Sequence, residues 1–159
     1  MKPAQTIVLV EDHALVRELY ADAMRHVGYR VIERPDARDL VEIVRREQPL
    51  CVVLDVCLPG PSGLSACRAL KRDRLTAHVQ VVLLTAHASL EIARVAGEVG
   101  ADQFLVKPVS PVELFSAIER RRRPSIGHDD SDGDDTSASL AGQPEGDPHG
   151  HSDRSSSGR

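Results

Sequence analysis

Leu50-Cys51-Val52-Val53-Leu54-Asp55 is the stretch that decides the fold. Five apolar residues follow one another without a polar break and then stop on a carboxylate. A strand whose apolar residues are continuous rather than alternating is covered on both faces, the pattern of a parallel sheet between layers of helix. Its terminal acid lies at the rim of that sheet, half out of the core. Three further segments have the same form: residues 7–10 run into Glu11 and Asp12, residues 81–84 into Thr85, and residues 104–106 into Lys107. One polar strand end is ordinary, but four together describe a site.

Between these runs the spacing of apolar residues changes to that of helices. Residues 13–27 place Leu15, Leu19, Ala23 and Val27 at i, i+4 spacing on one expected buried face, with Gly28 as the C-terminal cap. A short strand over 30–33 follows. Asp36 is the expected N-cap of a helix through Arg46 that buries Leu40, Ile43 and Val44. After Asp55 comes a Pro/Gly-rich loop and a helix from about Leu64, with Cys67 and Leu70 inward. Residues 79–84 are the fourth strand. Ser89 caps a helix through Val99 that Gly100 closes, and 103–106 is the fifth strand. Ser110-Pro111-Val112-Glu113 is a capping box with Pro at the first helical position, and its helix is expected to bury Leu114, Phe115 and Ile118.

Strands separated by helices must pair in parallel. Five such units fit a doubly wound α/β sheet of flavodoxin-like order 2-1-3-4-5, with helices on both faces. In that arrangement the functional crevice lies at the carboxyl ends of strands one and three, where Asp12 and Asp55 stand.

The charge is unevenly distributed. Residues 124–159 hold eight acids and two bases, a net charge of −6, and 17 of those 36 residues are Gly, Ser or Pro. Such a segment cannot bury enough surface to offset its ordering entropy and is expected to be a disordered tail. The expected folded domain is residues 1–123. Arg120-Arg121-Arg122-Arg123 is a basic cluster suited to a helix C-terminus, and with no aromatic residues interleaved it argues against direct nucleic-acid binding. Cys51, Cys57 and Cys67 form no CxxC pair, which points to reduced thiols and a cytoplasmic setting. There is no secretory pattern at the start and no apolar stretch long enough for a membrane.

Glu11, Asp12 and Asp55 in one crevice bring together about three negative charges, a costly cluster unless a cation occupies it. Hard oxygen ligands select Mg²⁺ or Mn²⁺. With Lys107 on the opposite side and the Thr85 hydroxyl nearby, the set suits phosphoryl transfer to Asp55, giving an aspartyl phosphate. His13 is a poor ligand for such a cation. His128, His149 and His151 in the tail suit a transition metal only loosely, and a plain polar tail explains them.

Residues 5 to about 122 resemble the receiver domain of two-component response regulators, the CheY-like family. The matching pieces are Val8-Leu9-Val10-Glu11-Asp12, Asp55-Val56-Cys57-Leu58-Pro59-Gly60, Thr85-Ala86, and the run from Gly100 through Phe104 to Lys107-Pro108. They occur in family order, with spacings of 43, 30 and 22 residues between Asp12, Asp55, Thr85 and Lys107. The resemblance implies Asp55 as phosphoacceptor and Glu11 and Asp12 as the acidic pair for Mg²⁺. It adds the Cys57 carbonyl as a further metal ligand, and Thr85 and Lys107 as holders of the phosphoryl group. Phe104 falls where the family has its switch aromatic, although a core Phe suits that strand equally well. A cis Lys107-Pro108 bond is implied too. Ser62 stands where many members have an acid, and Cys57 and His87 occupy positions that influence phosphate lifetime.

The implied function is that of a single-domain response regulator. It accepts phosphate from a histidine kinase or histidine phosphotransfer protein and signals by contacts with a downstream protein. The fourth and fifth helices with the fifth strand would form the output face. Its only chemistry would be self-catalysed phosphorylation and dephosphorylation. Two alternatives stay open: a phosphorylation-independent module of the same shape, and part of a longer regulator. A phosphatase reading is disfavoured, because Cys57 stands where such an enzyme has its second Asp.

Overall fold

A computed structural model describes residues 4–120. The tail over 124–159 and the end of the basic cluster, with the expectations attached to them, lie outside the described residues. Five strands and five helices alternate: β1 Thr6–Val10, α1 Ala14–His26, β2 Arg30–Arg34, α2 Leu40–Glu47, β3 Cys51–Asp55, α3 Gly63–Arg72, β4 Gln80–Thr85, α4 Leu90–Glu98, β5 Gln103–Val106 and α5 Pro111–Arg120. All neighbouring strands are parallel and the sheet order is β2-β1-β3-β4-β5. This is the flavodoxin-like order expected from the sequence.

The pleat divides the apolar runs between two cores. Val8, Val10, Val52, Leu54, Val81 and Leu83 face the layer of α2, α3 and α4. Ile7, Leu9, Cys51, Val53, Val82 and Leu84 face α1 and α5. Every residue of β3 is buried, so the continuous run is explained: each of its faces is roofed by helix. Full burial of a Val or Leu side chain contributes roughly 1.5–3 kcal/mol, and the central strands supply the largest share.

The helix ends follow their local chemistry. Gly28 and Gly100 adopt φ of +98° and +85°. At the first, Gly28 N–H bonds Arg25 O and Tyr29 N–H bonds Met24 O, and at the second Gly100 and Ala101 bond Gly97 O and Ala96 O. These paired bonds satisfy the last carbonyls of α1 and α4. Ser89 accepts from Ile92 N–H, as expected of a cap. The capping box of α5 is reciprocal: Ser110 Oγ accepts from Glu113 N–H at 3.2 Å, and a Glu113 carboxylate oxygen accepts from Ser110 N–H at 2.8 Å. Ser62, the departure from the acid of many family members, N-caps α3 by accepting from Ser65 N–H.

Three expectations are corrected. The buried face of α1 is Tyr20, Ala21 and Met24, with Val16 half-buried, whereas Leu15 is 72% exposed and Leu19 58%. The helix is rotated from the stripe chosen in the sequence. Helix α2 begins at Leu40, not after Asp36: the Asp36 carboxylate accepts from Arg38 N–H and closes a local turn instead. In α5, Ala117 is buried and Phe115 only partly so.

Candidate functional site

The parallel register brings four strand ends to one edge of the sheet. Val10 lies opposite Leu54, Asp55 opposite Leu84, and Thr85 opposite Val106. Residues one step beyond these pairs therefore converge. Backbone bonds hold them: Glu11 N–H to Arg34 O at 3.1 Å, Val56 N–H to Leu84 O at 2.8 Å, and Lys107 N–H to Thr85 O at 2.7 Å. Gly63 packs on the same corner, so closely that a Cβ there would lie 2.0 Å from Asp55 O.

Lys107 spans the crevice. Its ammonium donates to Asp55 Oδ2 and to Glu11 Oε2, both at 2.6 Å. The other oxygen of each acid takes a backbone N–H: Cys57 N–H reaches Asp55 Oδ1 at 3.0 Å, and His13 N–H reaches Glu11 Oε1 at 3.2 Å. Glu11 is 1% exposed and Asp55 4%, while Asp12 stands open to solvent. Burial pushes the Glu11 carboxyl above its usual range, against the pull of the Lys107 bond and with the help of Asp55's charge. Burial pulls Lys107 down, but its bonds to Asp55 and Glu11 outweigh this and the net direction is up. The ammonium thus stays charged among acids whose charge it only partly compensates.

Carboxylate oxygens of Glu11, Asp12 and Asp55 lie within 4.8 Å of one another. Three hard oxygen donors, an exposed member on one side and a surplus of negative charge are the donor set of a hard divalent cation. The residues fit Mg²⁺.

Thr85 ends β4 fully buried, and its Oγ1 is engaged with the backbone of His87, accepting from the N–H at 3.1 Å. Cys57 and His87 are exposed beside the crevice. Phe104 is half-buried against the core on the α4 side. The Lys107-Pro108 bond is cis. Two contributors were missed in the sequence. Arg17 donates from Nη1 to Glu11 O at 2.7 Å, steadying the acidic loop. Tyr20 donates from its hydroxyl to Val109 O at 2.9 Å, two residues past Lys107. Tyr20 was hidden by the wrong choice of face for α1. An i, i+3, i+4 stripe through 17, 20, 21 and 24 would have revealed both.

The model of the response regulator receiver domain matches residues 7–119. The chain belongs to the response regulator receiver domain family. Among curated relatives, the phosphate regulon transcriptional regulatory protein PhoB of Pseudomonas aeruginosa is 38% identical over 124 residues, covering 76% of this chain and 54% of that protein. The probable transcriptional regulator ycf27 of Porphyra purpurea is 35% identical, covering 72% of this chain and 46% of the relative. The receiver thus spans about half the length of the curated relatives it matches. Among solved structures, the BeF3-activated receiver domain of Klebsiella pneumoniae RstA superposes with a TM-score of 0.69 at 30% identity, covering 76% of this chain and all of that one (100%). The chemotaxis protein CheY4 of Vibrio cholerae gives a TM-score of 0.69 at 23% identity, covering 74% and 98%, a likeness of fold. No helix among the described residues of the receiver is long and apolar enough to cross a membrane.

Proposed function

We propose that this receiver accepts a phosphoryl group on Asp55 from a phosphohistidine of a histidine kinase or phosphotransfer protein. The observation that supports this most is the convergence of the Lys107 ammonium on Asp55 and Glu11 at 2.6 Å, with Asp12 beside them. In the transfer an Asp55 carboxylate oxygen bonds to phosphorus as the P–N bond breaks, and the electron pair returns to the imidazole nitrogen. Asp55 presents one oxygen to Lys107 and has the other on the Cys57 amide, so the carboxylate is held at a fixed orientation. Lys107 moves with no large reorganisation from the carboxylate to an oxygen of the incoming phosphoryl group, and stabilises the charge developing there. Thr85 supplies its hydroxyl to a second oxygen, giving up its contact with His87. Glu11, Asp12, Asp55 and the Cys57 carbonyl would hold Mg²⁺. When bound, that ion supplies charge neutralisation for the phosphoryl oxygens.

The output face of α4, β5 and α5 carries Leu90, Val106 and Val112 exposed, an apolar group suited to a protein partner. Residues 1–123 act as the receiver, and Phe104 is assigned as the switch aromatic. A second reading has a specific observation behind it. Because the receiver covers 54% of the length of PhoB, a transcriptional regulatory protein by name, it can serve as the input part of a longer regulator. Asp55→Asn is the test. The variant should stay folded and lose Mg²⁺-dependent labelling by acetyl phosphate, and labelling that persisted would overturn the assignment.

A further inference from the structure

Tyr20 is buried in the inward face of α1, and its hydroxyl donates to the carbonyl of Val109, 89 residues away, at 2.9 Å. Val109 belongs to the same apolar cluster, with Ile7, Leu9, Leu84 and Leu114. A carbonyl in such surroundings needs a donor, and Pro111 nearby has no N–H to give. The bond therefore has a local purpose, and it also has a position. Lys107, Pro108 and Val109 form a tripeptide pinned at both ends: Lys107 N–H bonds Thr85 O at 2.7 Å, and Val109 O bonds Tyr20. From the first residue of that tripeptide the ammonium reaches Asp55 and Glu11. Helix α1 starts two residues after Asp12, so the Tyr20 bond ties the lysine loop to the helix that follows the acidic loop.

We propose that Tyr20 is a positioning residue, holding the Lys107-Pro108-Val109 turn so that the Lys107 ammonium faces the acceptor carboxylate. The inference rests on the reading of Asp55 as acceptor and Lys107 as its partner. Tyr20→Phe keeps the ring that packs in the core and removes only the hydroxyl. The turn then loses its anchor on α1, and the ammonium is no longer held in line. Displacement of a positioned group by an ångström can cost about a hundredfold in rate, and a loosened one about tenfold.

The test is a double-mutant cycle on the full chain, measured as the rate of labelling by saturating acetyl phosphate with Mg²⁺, at a temperature where melting curves show each variant folded. Tyr20→Phe should slow labelling about tenfold in the native background and less than about twofold in a Lys107→Ala background. Mg²⁺ affinity by calorimetry should change less than about twofold, because the acids are untouched. Equal slowing in both backgrounds would show a merely structural role and overturn the inference, as would an unaltered rate. Tyr20→Ala is the second variant, its cavity filled by either 4-methylphenol or toluene, which match in shape and differ in the hydroxyl. Faster labelling with 4-methylphenol supports the inference, and equal rates with the two fillers overturn it. If the wild-type chain takes no label, or Asp55→Asn does, the underlying reading fails and takes this inference with it. Loss of the Tyr20 effect alone, with Asp55-dependent labelling intact, overturns only the inference.

Discussion

Gly63→Ala tests how tightly the corner around Asp55 is built. Gly63 is the first residue of α3, and its N–H donates to Val56 O at 2.9 Å. Its φ is not in the left-handed region, so alanine meets no conformational penalty. The obstacle is space. An added Cβ would lie 2.0 Å from Asp55 O and 2.8 Å from both Asp55 C and Val56 Cα, all backbone atoms that cannot swing aside. Ordinary contact begins at 3.4 Å, so the start of α3 or the end of β3 must move by about 1.4 Å. Overpacking of this kind costs about 1–3 kcal/mol, and the bond to Val56 O contributes about 1 kcal/mol more. The better helix propensity of Ala returns less than about 1 kcal/mol. The expected net loss is about 2–3 kcal/mol, or a fall in Tm of roughly 8–12 °C for a domain of this size. Because Asp55 is the residue pushed, labelling should slow as well. Gly28→Ala is the control: φ is +98° there but nothing lies within 4 Å, so only the conformational cost of about 1 kcal/mol applies. Urea unfolding of the three proteins measures the differences. A Gly63→Ala variant within about 0.5 kcal/mol of wild type, or one less affected than Gly28→Ala, would refute the packing reasoning.

Three shorter expectations concern the rest of the fold. Of the three cysteines, Cys57 is exposed, Cys51 and Cys67 are buried, and burial pushes the Cys67 thiol up to about 11 against a lowering by Lys71. A colorimetric thiol reagent at pH 8 should titrate one group quickly and two only after unfolding, and a fast-reacting Cys67 would contradict the assigned burial. In α1, Met24→Ala should cost about 2–5 kcal/mol and Leu15→Gln less than about 0.5 kcal/mol in urea unfolding, with the reverse ranking restoring the rejected face. At the start of α5, Ser110→Ala should cost about 1 kcal/mol. Glu113 is held below its usual range, first by the Ser110 N–H and then by the hydroxyl. A lowered acid stabilises the fold above its unfolded value of 4.5 and loses that contribution as pH falls through the folded one. The stability difference between wild type and Glu113→Gln should therefore be full at pH 7 and shrink below pH 4.5, and a gap that widened on acidification would count against the capping box.

The sheet was legible because its signals are local and mutually reinforcing. Continuous apolar runs mark strands covered on both sides, and a polar residue at each end marks the rim where Glu11, Asp12, Asp55, Thr85 and Lys107 gather. The capping box at Ser110 and the glycines at 28 and 100 announced helix ends by short-range chemistry alone. What the sequence did not disclose depends on tertiary choice. Helix α1 offers two apolar stripes of helical spacing, one through Leu15 and Leu19 and one through Tyr20 and Met24. Only the packing of the sheet decides which is buried. The same error concealed the hydroxyl of Tyr20, whose partner is 89 residues away. Asp36 has the composition of a helix cap, but its carboxylate closes on Arg38 N–H and the helix waits until Leu40. The roles proposed for Thr85 and Phe104 require movement, and neither spacing nor burial encodes a movement.

The measurement that bears most directly on the central claim is reductive trapping of the labelled chain. After incubation with Mg²⁺ and a phosphorylated histidine donor, borohydride converts an aspartyl phosphate to homoserine, and peptide sequencing by mass spectrometry locates it. Homoserine at position 55, appearing only when the donor is phosphorylated, is the expected result. Homoserine at position 12 or elsewhere in the chain, with Asp55 intact, would contradict the claim.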